Sequence, residues 1–246
     1  RIILMNLVIL MAFSAVADEG MWTLDNFPAD RVNEKYDVNI DQDWLDRVRM
    51  STTRIEGGCT GSFVSPNGLV LTNHHCIRRC IADNSTAESD LQKNGFVAAN
   101  REAEPMCSSD QLSVLVQMDE ITVDVEQVTS GKTEAAANDA RKQLLTRLES
   151  ECEAAAEEAG EARSCESVDL YNGGQYFIYQ YKRYDDIRLV FAPEGNIAHF
   201  GGDPDNFNFP RWCLDMSLLR AYENGMPAST PHYLKWRESG AQEGEP

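Results

Sequence analysis

Apolar positions between residues 59 and 76 fall into two short β-rich runs, Ser62-Phe63-Val64 and Leu69-Val70-Leu71, separated by Pro66-Asn67-Gly68. Proline presets one turn corner and glycine admits the left-handed backbone at another, so the segment predicts a β-hairpin. Farther along, Trp44, Leu45 and Val48 recur at helical spacing in residues 41–49, behind an acidic first turn. Residues 87–96 read as a helix that stops at Asn94-Gly95. Residues 112–128 read mainly as strand, with alternation clearest over 121–125. The strongest helical signal runs over 134–160, where Ala137, Ala140, Leu144, Leu148 and Cys152 form one stripe and Gly160 ends it. Strand patterning returns at 175–181 and 187–192, and residues 22–36 read as a loop-rich lead-in. The expected fold class is mainly β with helical insertions: a barrel-like sheet interrupted by one helix rather than two domains.

The return strand of the hairpin ends in Thr72-Asn73-His74-His75-Cys76, with Cys59 placed at the start of the hairpin to close a loop onto Cys76. A trypsin-like β-barrel presents its general-base histidine in this way, at a strand end and beside a cysteine bridged to the preceding strand. His75 is therefore a candidate base, while a hydrogen-bonded core histidine is the ordinary role for a lone imidazole. Zinc is disfavoured. Neighbours on an extended segment face opposite ways, so only one of His74 and His75 can reach a common metal, and no CxxC or HxxxH partner follows. Residues 37–48 begin like a calcium loop, but Gln42 stands where such a loop needs glycine and Val48 where it needs the bidentate glutamate. No metal is expected.

Composition narrows the setting. Residues 1–17 combine a basic residue, an apolar stretch and Ala15-Val16-Ala17, the pattern of a truncated secretory signal, and cleavage there would leave Asp18 first. Residues 18–246 then form the mature part. Export makes the seven cysteines candidates for disulfides, with Cys59–Cys76 the leading pair, Cys152–Cys165 next, and Cys80–Cys107 after them. A formal charge of −18 repels phosphate backbones and anionic lipid, which disfavours nucleic-acid and membrane-surface binding. No run beyond the signal is long enough to anchor the chain in a bilayer.

A second unusual stretch covers residues 200–220. Gly201 and Gly202 permit tight turns, and Asp203, Asp205 and Asn206 crowd together beside Phe207 and Phe209, stiffened by Pro204 and Pro210. Asp215 then opens an apolar strand. A triad carboxylate must be buried and bonded to the imidazole, and a strand-head Asp meets that need. The plain alternative is a strand-start Asp and an Asx-rich turn.

These two motifs, with DEGMW, WLDRVR, GGCTGSFVSPNGLVLTNHHC, LQKNGFVAANREAE, YKRYDDIRLVFAPE and FGGDPDNFNFPR, closely resemble the bacterial dipeptidyl-peptidases 7 and 11 over residues 20–233. The resemblance implies an exported serine exopeptidase with a trypsin-like (chymotrypsin-type) double β-barrel and an inserted helical domain, of which this chain is the N-terminal part. It implies His75 as general base and Asp215 as triad carboxylate. It also implies Asn206 as a holder of the substrate's free α-amino group, and Phe207 in a place where the family carries an aromatic. The partner implied is a peptide with a free N-terminus, with no cofactor, and homodimerisation follows from the family as well. Trp212 and Cys213 depart from the family's run before Asp215. No GxSxG or GNSG-type segment occurs, so the serine nucleophile is expected elsewhere and the fragment alone is expected to be inactive. The alternative is a non-catalytic exported peptide-binding or scaffold protein on the same barrel.

Overall fold

The computed structural model describes residues 21–199 and 213–243. The chain divides into a small unit ending at Ile40 and a main unit, Asp41–Pro246. In the small unit, residues expected to be loop contain helix α1, Ala29–Tyr36, which begins after Pro28 and ends at Asp37 in the left-handed conformation. A proline cannot continue a preceding helix but presets the backbone for a new one, which the loop reading overlooked. The Arg31 guanidinium lies 5.0 Å from the centre of the Trp22 ring, and Asn33 pins Ile40 by accepting its N–H at 2.7 Å and donating to its carbonyl at 2.9 Å.

The main unit opens with α2, Gln42–Ser51, capped by the Asp41 carboxylate, which accepts the Trp44 N–H at 2.8 Å. It runs straight into β1, Thr52–Ile55, then β2, Cys59–Phe63, and β3, Leu69–Thr72. Gly57 and Gly58 turn β1 into β2 with φ near 100°. Between β2 and β3, Gly68 is also left-handed, and a Cβ there would sit 2.5 Å from the Ala221 carbonyl oxygen. The Ser65 hydroxyl accepts from the Asn67 and Leu69 N–H groups and completes that turn. The chain continues through α3, Arg78–Asp83, α4, Leu91–Asn94, and β4, Phe96–Val97, so the helix expected over 87–96 is a single Asp90-capped turn followed by a short strand.

Next come β5, Leu112–Glu120, α5, Thr122–Thr129, α6, Glu134–Glu158, β6, Arg163–Leu170, β7, Gln175–Tyr184, and β8, Asp186–Ala192. Helix α7, Gly195–Ala198, and strands β9, Ser217–Glu223, and β10, Met226–Pro227, follow. All pairings are antiparallel, in the order β4-β8-β9-β3-β2-β1-β5-β7-β6, with β10 on β9. The stretch just before β5 reaches β8 on the other side. Leu189 N–H donates to the Pro105 carbonyl at 2.9 Å, and Cys107 N–H donates to that of Ile187 at 2.8 Å, while Leu112 pairs with Ile55 of β1. The inner strands are thereby joined in a ring of hydrogen bonds around Ile55, Phe63, Val70, Leu112, Ile187, Leu189 and Leu219, all essentially solvent-free. The Cys80–Cys107 disulfide lies in this core.

The outer parts of β5 and β7 leave the ring at a bulge between Leu115 and Gln117 and carry β6, α5 and α6 over a second, smaller core. Residues 122–129 form helix α5, not the strand their alternation suggested. Ile121, Val125 and Val128 also fit a helical face, and burial against Leu144 and Ile178 decides between the two periods. Cys152 of α6 is bridged to Cys165 of β6. The Glu149 and Glu153 carboxylates of α6 accept from the Ser167 and Cys165 N–H groups at 2.7 and 3.2 Å, which covers the open edge of β6. Among the described residues, no helix is long and apolar enough to cross a membrane.

Candidate active site

The chain leaves β3 at Thr72, whose hydroxyl donates to the Thr60 carbonyl at 3.0 Å, and enters a 3-10 turn, His74–Ile77. The Cys59–Cys76 disulfide, with Cα atoms 6.0 Å apart, ties this turn to the first strand of its hairpin. His74 and His75 diverge, though not because they are extended. A 3-10 turn rotates successive residues by about 120°, which buries His74 to 2% exposure and leaves the His75 side chain 50% exposed.

Across from the turn, the irregular segment before β9 brings in Asp215, which precedes the strand it was expected to open, because pairing with β3 begins only at Ser217. His75 Nδ1 lies 2.7 Å from Asp215 Oδ2, and the His75 backbone N–H donates to Oδ1 at 3.1 Å. One residue thus occupies both carboxylate oxygens. Asn73 adds a third grip. Its Nδ2 donates to the Asp215 carbonyl at 2.9 Å and lies 3.4 Å from Oδ2. The Asp215 side chain is 16% exposed. Burial pushes its carboxyl up, but the two His75 hydrogen bonds and the histidine charges outweigh this and hold it below the usual range. An ionised carboxylate at 2.7 Å keeps the proton on Nδ1, which leaves Nε2 with a lone pair able to take a proton.

His74 contrasts with its neighbour. Among the described residues neither of its ring nitrogens has a hydrogen-bond partner, and burial, with the Arg78 charge behind it, lowers its pKa. It is a neutral core imidazole at the wall of a cleft that Arg78, Lys93, Asn196 and His199 also line. The sulfurs that lie near His75, those of Cys59 and Cys76, are bound to each other, so the donor set offers no thiolate for zinc. Ser217 is fully buried on β9 and Ser62 lies within β2, so neither has the exposure of a nucleophile.

A charged network steadies the far end of the same strands. Arg220 of β9 donates to the Glu104 carboxylate at 3.0 and 3.1 Å and to the Asn67 carbonyl at 2.9 Å, and Tyr222 Oη donates to Glu104 at 2.7 Å. Glu104 is only 3% exposed. Sequence reading missed both Asn73 and this network, for a polar residue at a strand end and a glutamate in a loop carry no periodic signal. Asn206 and Phe207, with Gly201 to Phe209 around them, lie outside the described residues.

The fold has close counterparts among solved structures. Porphyromonas endodontalis DPP11 in complex with the dipeptide Arg-Glu superposes with a TM-score of 0.75 over 93% of this chain and 35% of that one, at 23% identity. The architecture is thus that of a mainly antiparallel sheet with helices shared with DPP11. The family model described as Peptidase S46 matches residues 17–246, and the chain belongs to that family. Relatives include an Asp/Glu-specific dipeptidyl-peptidase of Shewanella putrefaciens, 32% identical across 100% of this chain and 35% of that protein. A dipeptidyl-peptidase 7 of Phocaeicola vulgatus is 30% identical across 100% of this chain and 37% of that protein. The chain therefore spans about a third of the length of these relatives.

Proposed function

We propose that this chain is the base-bearing part of an exported serine-type dipeptidyl-peptidase, which releases dipeptides from the free N-terminus of peptides. The observation that carries the reading is the 2.7 Å contact between His75 Nδ1 and Asp215 Oδ2, at a strand end beside a disulfide, in a Peptidase S46 chain. The hydrogen-bonded ring from β1 through β9 and β8 back to β5 supports a trypsin-like barrel as the scaffold, one of two such barrels in the whole protein.

In this reading His75 Nε2 takes the proton of a serine hydroxyl as that oxygen attacks the peptide carbonyl, and returns it to the departing amine. Asp215 fixes the tautomer and stabilises the imidazolium without itself taking the proton. The serine and the donors for the developing oxyanion come from polypeptide beyond these residues, so this stretch alone does not hydrolyse peptides. Asn206 accepts a hydrogen bond from the substrate's α-ammonium and Phe207 offers it an aromatic face. The peptide-bound state of the DPP11 relative, crystallised with Arg-Glu, agrees with a peptide as substrate. Residues 1–17 act as the export signal, the protein works outside the cytoplasm, and the mature form pairs as a homodimer.

The test uses the complete protein encoded with this chain and a dipeptidyl reporter substrate, with its N-acetylated form alongside. The free amine is expected to be cleaved far faster. Asn206→Ala is expected to lose most of that preference, with kcat/KM falling roughly 10- to 150-fold, the worth of one charge-assisted hydrogen bond. Equal cleavage of both substrates removes the exopeptidase reading. No cleavage of either, with peptide binding retained, points to a scaffold protein instead.

A further inference from the structure

We infer that Asn73 is a positioning residue for the His75–Asp215 pair, its side-chain amide holding the Asp215 main chain where the carboxylate meets the imidazole. The role rests on the peptidase reading above. The structural need for it comes from the way the sheet ends. Strands β3 and β9 pair as far as Thr72 opposite Ser217. In a continued ladder the residue facing Asp215 would be His74, which has already turned into the 3-10 segment. Residues 213–216 belong to no strand, so regular main-chain pairing does not fix Asp215. Asn73 bridges the gap, donating to the Asp215 carbonyl at 2.9 Å with Oδ2 of the same residue at 3.4 Å.

The orientation of the amide follows from its neighbours. Both facing atoms are oxygens that can only accept, so the NH₂ group must point at them. Within three consecutive residues, then, Asn73 holds the backbone of Asp215 while His75 holds its two carboxylate oxygens. Asn73 is exposed, so water can replace its bond to the carbonyl and the fold loses little without it. Water does not fix an angle, however. Loss of the amide lets Asp215 shift relative to a ring that must keep one tautomer and one direction, and small misplacements of a reacting group cost up to about a hundredfold in rate.

The experiment compares Asn73→Ala and Asn73→Asp in the complete protein, by kcat and KM on a dipeptidyl reporter and by proton NMR of the downfield His75 Nδ1–H resonance. Asn73→Ala is expected to lower kcat by roughly 10- to 100-fold with KM almost unchanged. The thermal midpoint should stay near that of wild type, and the Nδ1–H signal should broaden or vanish through exchange. Asn73→Asp keeps the shape but sets an acceptor against two acceptors, and is expected to be worse than Ala. Wild-type kcat and an unchanged Nδ1–H signal in Asn73→Ala would overturn the inference, as would Asn73→Asp matching wild type. If the wild-type protein cleaves nothing, the peptidase reading falls, yet the resonance still decides the positioning role: lost in Asn73→Ala it stands, retained it falls.

Discussion

Asp215→Asn probes the pair with almost no change of volume. The native carboxylate presents two acceptors to two donors of one residue, the His75 backbone N–H at 3.1 Å and the ring Nδ1 at 2.7 Å. An amide has one oxygen. If that oxygen faces Nδ1, the NH₂ group is driven against the His75 backbone N–H and the turn is pushed away. If it faces the backbone instead, the NH₂ group donates to Nδ1, and the ring proton must move to Nε2, the atom needed to accept a proton. The second orientation avoids that donor–donor clash and is therefore the one adopted, and it removes the base. The loss of the correct tautomer is worth about 10,000-fold in kcat, or about 5 kcal/mol at 1.36 kcal/mol per tenfold. Because the carboxylate touches the imidazole and not the substrate, KM should stay near the wild-type value. The assay is steady-state hydrolysis of a dipeptidyl reporter by the complete protein, with the His75 ring tautomer read from nitrogen chemical shifts. A variant within tenfold of wild-type kcat, or one whose ring still carries its proton on Nδ1, would refute the reasoning.

Other expectations follow from the same geometry. Replacing Cys59 and Cys76 together by Ser opens a loop of separation 17 and should cost about 3 kcal/mol in a denaturant titration, and a loss under about 1 kcal/mol would show that the bridge constrains little. Glu104→Ala leaves the Arg220 guanidinium without its carboxylate at a site where the pair is 3% and 13% exposed, so a loss of about 3–5 kcal/mol is expected. Glu104→Gln should lose less, and equal stability of all three forms would contradict the network's role. His74 is held neutral, with its folded pKa below the unfolded value of about 6.5. Its contribution to stability is therefore complete above that pH and is lost as pH falls toward and past the folded value. His74→Phe should flatten the fall in unfolding free energy as pH drops below about 6.5, and an unchanged slope would assign the pH dependence to other groups.

Much of the site is written locally. The hairpin, its Pro66-Asn67-Gly68 turn and the Cys59–Cys76 loop are short-range features whose residue types dictate backbone shape, and the structure has them at the same residues. The meeting of His75 with Asp215 spans 140 residues and was implied by the family resemblance, since nothing local to either residue names the other. Where two periods fit, local reading failed. Val123 and Val125 alternate as in a strand, yet packing on Leu144 makes 122–129 a helix. Strand β6 went unread because its edge position and half-exposed pattern carry no apolar run, and α6 completes it through Glu149 and Glu153 from another element. Asn73 shows the same limit on a smaller scale: its partner is a main-chain carbonyl far away in sequence, and no spacing announces it.

The central claim is that His75, oriented by Asp215, activates a serine for attack on a peptide bond. Covalent labelling tests it most directly. The complete protein and its His75→Ala variant would be treated with a fluorophosphonate, which bonds only to an activated serine, and followed by intact-mass spectrometry. The account requires a single adduct on the wild-type protein and a labelling rate at least about a hundredfold slower in the variant, as general-base assistance commonly contributes. No adduct on the wild-type protein, or equal rates in both proteins, would contradict it.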